Sequence, residues 1–121
     1  MFPLDRLEVY LQAMTVARSC ARHAPTIRDL DLRSQLLRSA RSIAANLAEG
    51  AGSGSQALFA RHIAIALGST KETECHLQIA LDAGMLTTPA HTELKGLLDN
   101  LAPRLVRLLA SVRRNAKRRS A

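Results

Sequence analysis

The last third of the chain repeats aliphatic residues at helical spacing. Leu94, Leu97, Leu98, Leu101, Leu105, Leu108, Leu109 and Val112 follow one another at steps of one, three or four, which returns them to one face of an α-helix. A stripe of this kind is stable only when it is buried against a similar surface. Three further stripes are available. The first runs from about Leu4 to Ala24 through Leu7, Leu11, Met14, Ala17 and Ala21, and Pro25 ends it. The second starts near Asp29, a capping residue, and carries Leu36, Ala40, Ile43, Ala44 and Leu47 to a stop at Gly50. The third carries Phe59, Ile63, Ala66, Leu67, Thr70, Leu77, Ala80 and Leu81, with Gly68 allowing a close approach.

The punctuation between the stripes agrees with this reading. Gly50 to Ser55 is a glycine-serine break, and Ser53 with Gln56 has capping-box spacing. Gly84 ends the third helix, and Met85 is positioned for the apolar contact that follows a glycine cap. Thr88-Pro89 reads as a cap followed by proline at the first helical position. Pro103 interrupts the fourth stripe, which predicts a kink between Asp99 and Pro103 or a late helix start. Short loops make consecutive helices antiparallel, so the expected fold is all-α, an up-down-up-down four-helix bundle. It spans residues 1–114, with 115–121 as a basic, disordered tail.

Composition narrows the function. A chain of 121 residues with 47% hydrophobic content closes one core without disulfide or metal support. Cys20 and Cys75 have neither framework nor zinc spacing and read as reduced, half-buried residues of a cytoplasmic protein. No secretion signal opens the chain, and no segment approaches the roughly 20 apolar residues of a membrane span.

Catalytic and cofactor chemistry lack candidates. The glycine-serine loop follows no strand and lacks the Lys-Ser/Thr of a P-loop. Glu-x-x-His, the signature of carboxylate-bridged metals in bundles, is absent. Glu72, Cys75 and His76 are the only cluster a metal could use, and Glu72 with His76 reads first as a surface pair one turn apart. His23, His62, His76 and His91 are scattered over the chain, and no serine has a partner that would activate it. The expectation is a protein that is not an enzyme and holds no cofactor and no metal.

Charge is the positive signal. The net charge is +7, and from Arg104 onward there are seven basic residues and no acidic one, whereas the preceding chain is neutral. Arg104, Arg107, Arg114 and Arg118 fall within about 80° on the helical wheel, opposite the leucines. Arg113, Lys117 and Arg119 complete the cluster, and Arg38 and Arg41 on the second helix are placed to extend it or to serve a subunit interface. Guanidinium forks match phosphate oxygens, which points to the backbone of RNA or DNA. With two phenylalanines and one tyrosine, base stacking contributes little. A solvated basic face, or a module that docks a protein partner, are the competing readings.

Residues 34–50 and 62–72, the opening 7–14 and the Gly84-Met85-Leu86 turn resemble a known family. Its most specific pieces here are Asn46-Leu47-Ala48-Glu49-Gly50 and Ala66-Leu67-Gly68-Ser69. The family is that of the four-helix-bundle proteins encoded by intervening sequences in 23S ribosomal RNA genes. Tyr10 stands where that family often has tryptophan, and Ile27 or Leu30 where it has an aromatic residue. The resemblance implies a cytoplasmic homopentamer. It also implies kinship with accessory proteins of diversity-generating retroelements, which bind nucleic acid and a reverse transcriptase through a basic surface.

Overall fold

Three of the four helices begin where a side-chain oxygen folds back over free amides. Asp29 Oδ1 accepts from the amides of Asp31 and Leu32, both at 3.1 Å. Ser55 Oγ accepts from Leu58, and Thr87 Oγ1 from Ala90, each at 3.2 Å. The computed structural model describes residues 4–120, with side chains from Arg6 to Arg118. Its helices are α1 (Leu4–His23), α2 (Leu30–Ala51), α3 (Gln56–Asp82) and α4 (Thr88–Ser120), with a short 3-10 turn, Ala24–Thr26, after α1. Two caps sit beside the residues predicted for them. Ser53 donates its hydroxyl to the Gly50 carbonyl at 2.7 Å and leaves the capping to Ser55. Thr87 displaces Thr88, so Pro89 is the second helical residue, where its missing N–H is still one of the unpaired first four.

The turn after α3 is as expected. Gly84 has φ +70°, its amide bonds the Leu81 carbonyl at 3.0 Å, and the Met85 amide bonds that of Ala80 at 2.9 Å. These are the paired bonds of a Schellman ending, which needs a left-handed residue after the cap.

Helices adjacent in sequence pack together and α4 closes back on α1, whereas among the described residues the diagonal pairs α1/α3 and α2/α4 bring no backbones together; across the first diagonal the Arg6 guanidinium stands 4.9 Å over the Phe59 ring. The fold is therefore an all-α up-down-up-down four-helix bundle, and no strand occurs among the described residues. The α2 and α4 stripes are buried as read from the sequence, with Leu97 half-buried, and α3 inserts Phe59, Ile63, Ala66, Thr70, Leu77 and Ala80. Three polar rungs join α2 to α3: Ser39 to Thr73 at 2.9 Å, Ser42 to Ser69 at 2.8 Å and Asn46 to His62 at 2.9 Å. No helix among the described residues is long and apolar enough to cross a membrane.

Other expectations are corrected. On α1 the buried face is Val9, Ala13, Val16 and Cys20, while Leu7 and Leu11 are 44% and 50% exposed; both faces have helical spacing, and the larger side chains drew the choice. Gly68 meets nothing within 4 Å. The close approach belongs to Gly50, where a Cβ would stand 2.7 Å from His62 Cβ and 3.0 Å from Phe59 Cδ1, and α2 continues one residue past it. The fourth helix starts at Thr88 and passes through Pro103 without ending, so the late start does not occur. Residues 115–120 are helical. Cys20 is buried, and Cys75 is exposed rather than half-buried; burial pushes the Cys20 thiol up to about 12, which suppresses thiolate chemistry there.

Candidate nucleic-acid interface

α4 has 33 residues against 20 in α1, about 50 Å against about 30 Å at 1.5 Å per residue. Two carboxylates fix where the excess lies. Glu93, near the start of α4, meets Arg22 and His23 at the end of α1, at 2.6 and 3.0 Å. Glu8, one turn into α1, meets Arg104 Nη1 at 3.0 Å. Beyond Leu108 the helix outruns the described part of α1, and Arg113, Arg114, Lys117 and Arg118 ride on that overhang.

Arg104 is half-buried, with its charge committed to Glu8 in a groove of about 370 Å³ lined by Val9, Arg107, Leu108 and Ser111. Arg107, Arg113, Arg114, Lys117 and Arg118 are exposed, and none of them forms an ion pair among the described residues. Arg107, Arg114 and Arg118 form the continuous row toward α1, and Arg113 and Lys117 turn to the flank nearer α3. The side chain of Arg119 lies outside the described ones. Arg38 and Arg41 are exposed on α2, diagonal to α4, so the structure does not bring them into the row. Glu8 was not found from sequence, because 96 residues separate it from Arg104 and no local pattern links them.

The surface can hold an extended polyanion by charge. The guanidinium groups of Arg107, Arg114 and Arg118 stand along one edge of one helix, the arrangement that follows a phosphate backbone and not the edges of bases. His76 is buried with both ring nitrogens unpartnered by hydrogen bonds, and its Nε2 lies 3.8 Å from Glu72 Oε2. Cys75 instead lines a hollow with His91, Lys71 and Lys95 on the α4 side. Among the described residues no three His, Cys, Asp or Glu side chains are grouped to hold a metal. Glu93 is the carboxyl most affected by its neighbours: hydrogen bonds from His23 and then Arg22 lower its pKa.

No curated protein sequence matches the chain. Among solved structures, a protein of unknown function from the S23 ribosomal protein family of Bacteroides thetaiotaomicron superposes with a TM-score of 0.82 at 21% identity, covering 88% of this chain and 99% of that one. That likeness is one of fold. The sequence profile described as 23S rRNA-intervening sequence protein matches residues 5–107, the whole bundle up to the arginine overhang. The chain belongs to the 23S rRNA-intervening sequence protein family.

Proposed function

We propose that this chain is a non-enzymatic, self-associating cytoplasmic protein, a homopentamer, that grips nucleic-acid backbone along the outer edge of α4 and serves a reverse transcriptase as an accessory. The observation that carries the reading is the run of exposed basic side chains on the last part of α4, Arg107 beside the start of α1 and Arg113, Arg114, Lys117 and Arg118 beyond it, without carboxylate partners among the described residues. Arginines already satisfied by acids would have little left to offer phosphates; these retain their full charge. Self-association multiplies the rows on one particle, so weak individual contacts sum to useful avidity. Leu7 and Leu11, left in solvent on α1, support the self-association.

The test is binding of a structured RNA and a duplex DNA, followed by fluorescence anisotropy at about 50 mM and about 200 mM salt. The expected result is binding to both with steep salt dependence. Replacing Arg107, Arg114 and Arg118 by alanine should flatten the log–log salt slope by about 0.9 for each lost duplex phosphate contact. Absence of binding at the lower salt defeats the nucleic-acid reading. Truncation after Val112 that abolishes nucleic-acid binding yet leaves a protein partner bound would favour a docking module.

A further inference from the structure

Ser111 completes the spacing of the arginine row. Arg104, Arg107, Ser111, Arg114 and Arg118 follow one another at alternating steps of three and four, which keeps them on one edge of α4. At 1.5 Å per residue they cover about 21 Å of helix. The serine fills the gap between Arg107 and Arg114. It is half-buried, and its hydroxyl makes no hydrogen bond among the described residues.

The first three members share the groove between α1 and α4. Arg104, Arg107 and Ser111 line it from α4 and Glu8 from α1, with the buried Val9 and Leu108 beneath them. Glu8 Oε2 stands 3.0 Å from Arg104 Nη1. An anionic oxygen therefore already occupies this position, and it belongs to a side chain that is able to leave. The Glu8 side chain is 61% exposed and can swing into water, whereas that of Arg104, 41% exposed, keeps its stem against the groove.

An exposed ion pair is a weak hold, because water screens it and two long side chains must be kept still to make it. A nucleic-acid strand caught by Arg107, Arg114 and Arg118 presents its next phosphate to Arg104 at high effective concentration. Each phosphate neutralised also releases condensed counterions, a gain that Glu8 cannot match. The phosphates meet planar guanidinium forks at Arg104 and Arg107 and a hydroxyl donor at Ser111. The balance favours exchange of partners at Arg104.

We infer that the α1/α4 groove is a phosphate subsite at the root of the basic row, formed by Arg104, Arg107 and Ser111, and that Glu8 is its internal stand-in, displaced when a nucleic-acid backbone binds. The inference rests on the nucleic-acid part of the proposed function and is independent of self-association. It assigns one more charged contact than the unpaired side chains provide by themselves. It also fixes the path of the strand at one end: from the groove beside Val9 and Leu108 the backbone runs outward past Arg114 to Arg118.

Salt titrations of binding by the full chain, with the same two nucleic acids and over the same range, test the inference. Arg104→Gln keeps most of the stem and removes the charge; it should lower the magnitude of the log–log slope on duplex DNA by about 0.9, the share of one phosphate. Glu8→Gln removes the competitor. It should tighten binding about two- to fivefold with the slope unchanged, because Arg104 meets phosphate in either chain. Ser111→Ala should weaken binding several-fold, again with the slope unchanged, because a hydroxyl neutralises no charge. Circular dichroism and urea midpoints check that all three variants stay folded. A wild-type slope in Arg104→Gln, or a steeper slope in Glu8→Gln, means that the ion pair stays closed in the complex; either result, or wild-type affinity in Ser111→Ala, overturns the groove subsite and leaves the nucleic-acid reading standing. A wild-type chain that binds neither nucleic acid at the lower salt overturns both.

Discussion

Gly50 shows how a single hydrogen atom sets a helix spacing. In an open helix, glycine to alanine would gain about 0.5–1 kcal/mol. Here the new methyl would stand 2.7 Å from His62 Cβ, a backbone-anchored atom that cannot swing away. Overpacking of this kind costs about 1–3 kcal/mol, so Gly50→Ala should be net destabilising, seen as a lower urea midpoint with the slope unchanged. Glu93 gives a prediction in pH. Its pKa is lowered in the folded chain by His23 and then Arg22, so its contribution to stability is complete above the unfolded carboxyl's value of about 4.3 and is lost as pH falls through the lower, folded value. Glu93→Gln should flatten the acid side of the stability–pH curve below about pH 5, read from urea midpoints. The effect should be small, because the pair is solvent-screened, with Arg22 63% and Glu93 46% exposed.

Among the elements, α4 is the one held against its own sequence. Pro103 has no N–H to give the Asp99 carbonyl, yet the helix passes through it, because Leu101, Leu105 and Leu108 anchor both sides of the gap in the core. Pro103 itself is exposed, so Pro103→Ala removes little packing and restores a rung. It should stabilise the chain by about 1–3 kcal/mol in denaturant melts. The leucine period of α4 and the alanine-isoleucine period of α2 were legible because each helix has one dominant stripe. α1 was not, because Val9, Ala13, Val16 and Cys20 compete with the bulkier Leu7 and Leu11 at the same period. Periodicity identifies a face; it does not say whether a neighbour inside the chain or outside it covers that face.

For the whole molecule, the basic bias was legible as a count, and its position at one end followed from the order of residues alone. Which arginines are spoken for was not legible, since Glu8 reaches Arg104 only after the chain has folded back through three turns. The separation of Arg38 and Arg41 from the α4 row has the same origin: helical wheels give directions around one axis, and only the packing order reveals that α2 and α4 are diagonal. The rungs between α2 and α3 bear on this larger geometry. Sliding one helix past the other by a single turn would break Ser39–Thr73, Ser42–Ser69 and Asn46–His62 together, so the hairpin has one alignment and works like a vernier. The elevations of Ile65 on α3 and of Ala44 and Ala48 on α2 are thereby fixed before any other molecule arrives, and a surface whose teeth are pre-set loses little freedom when it meshes.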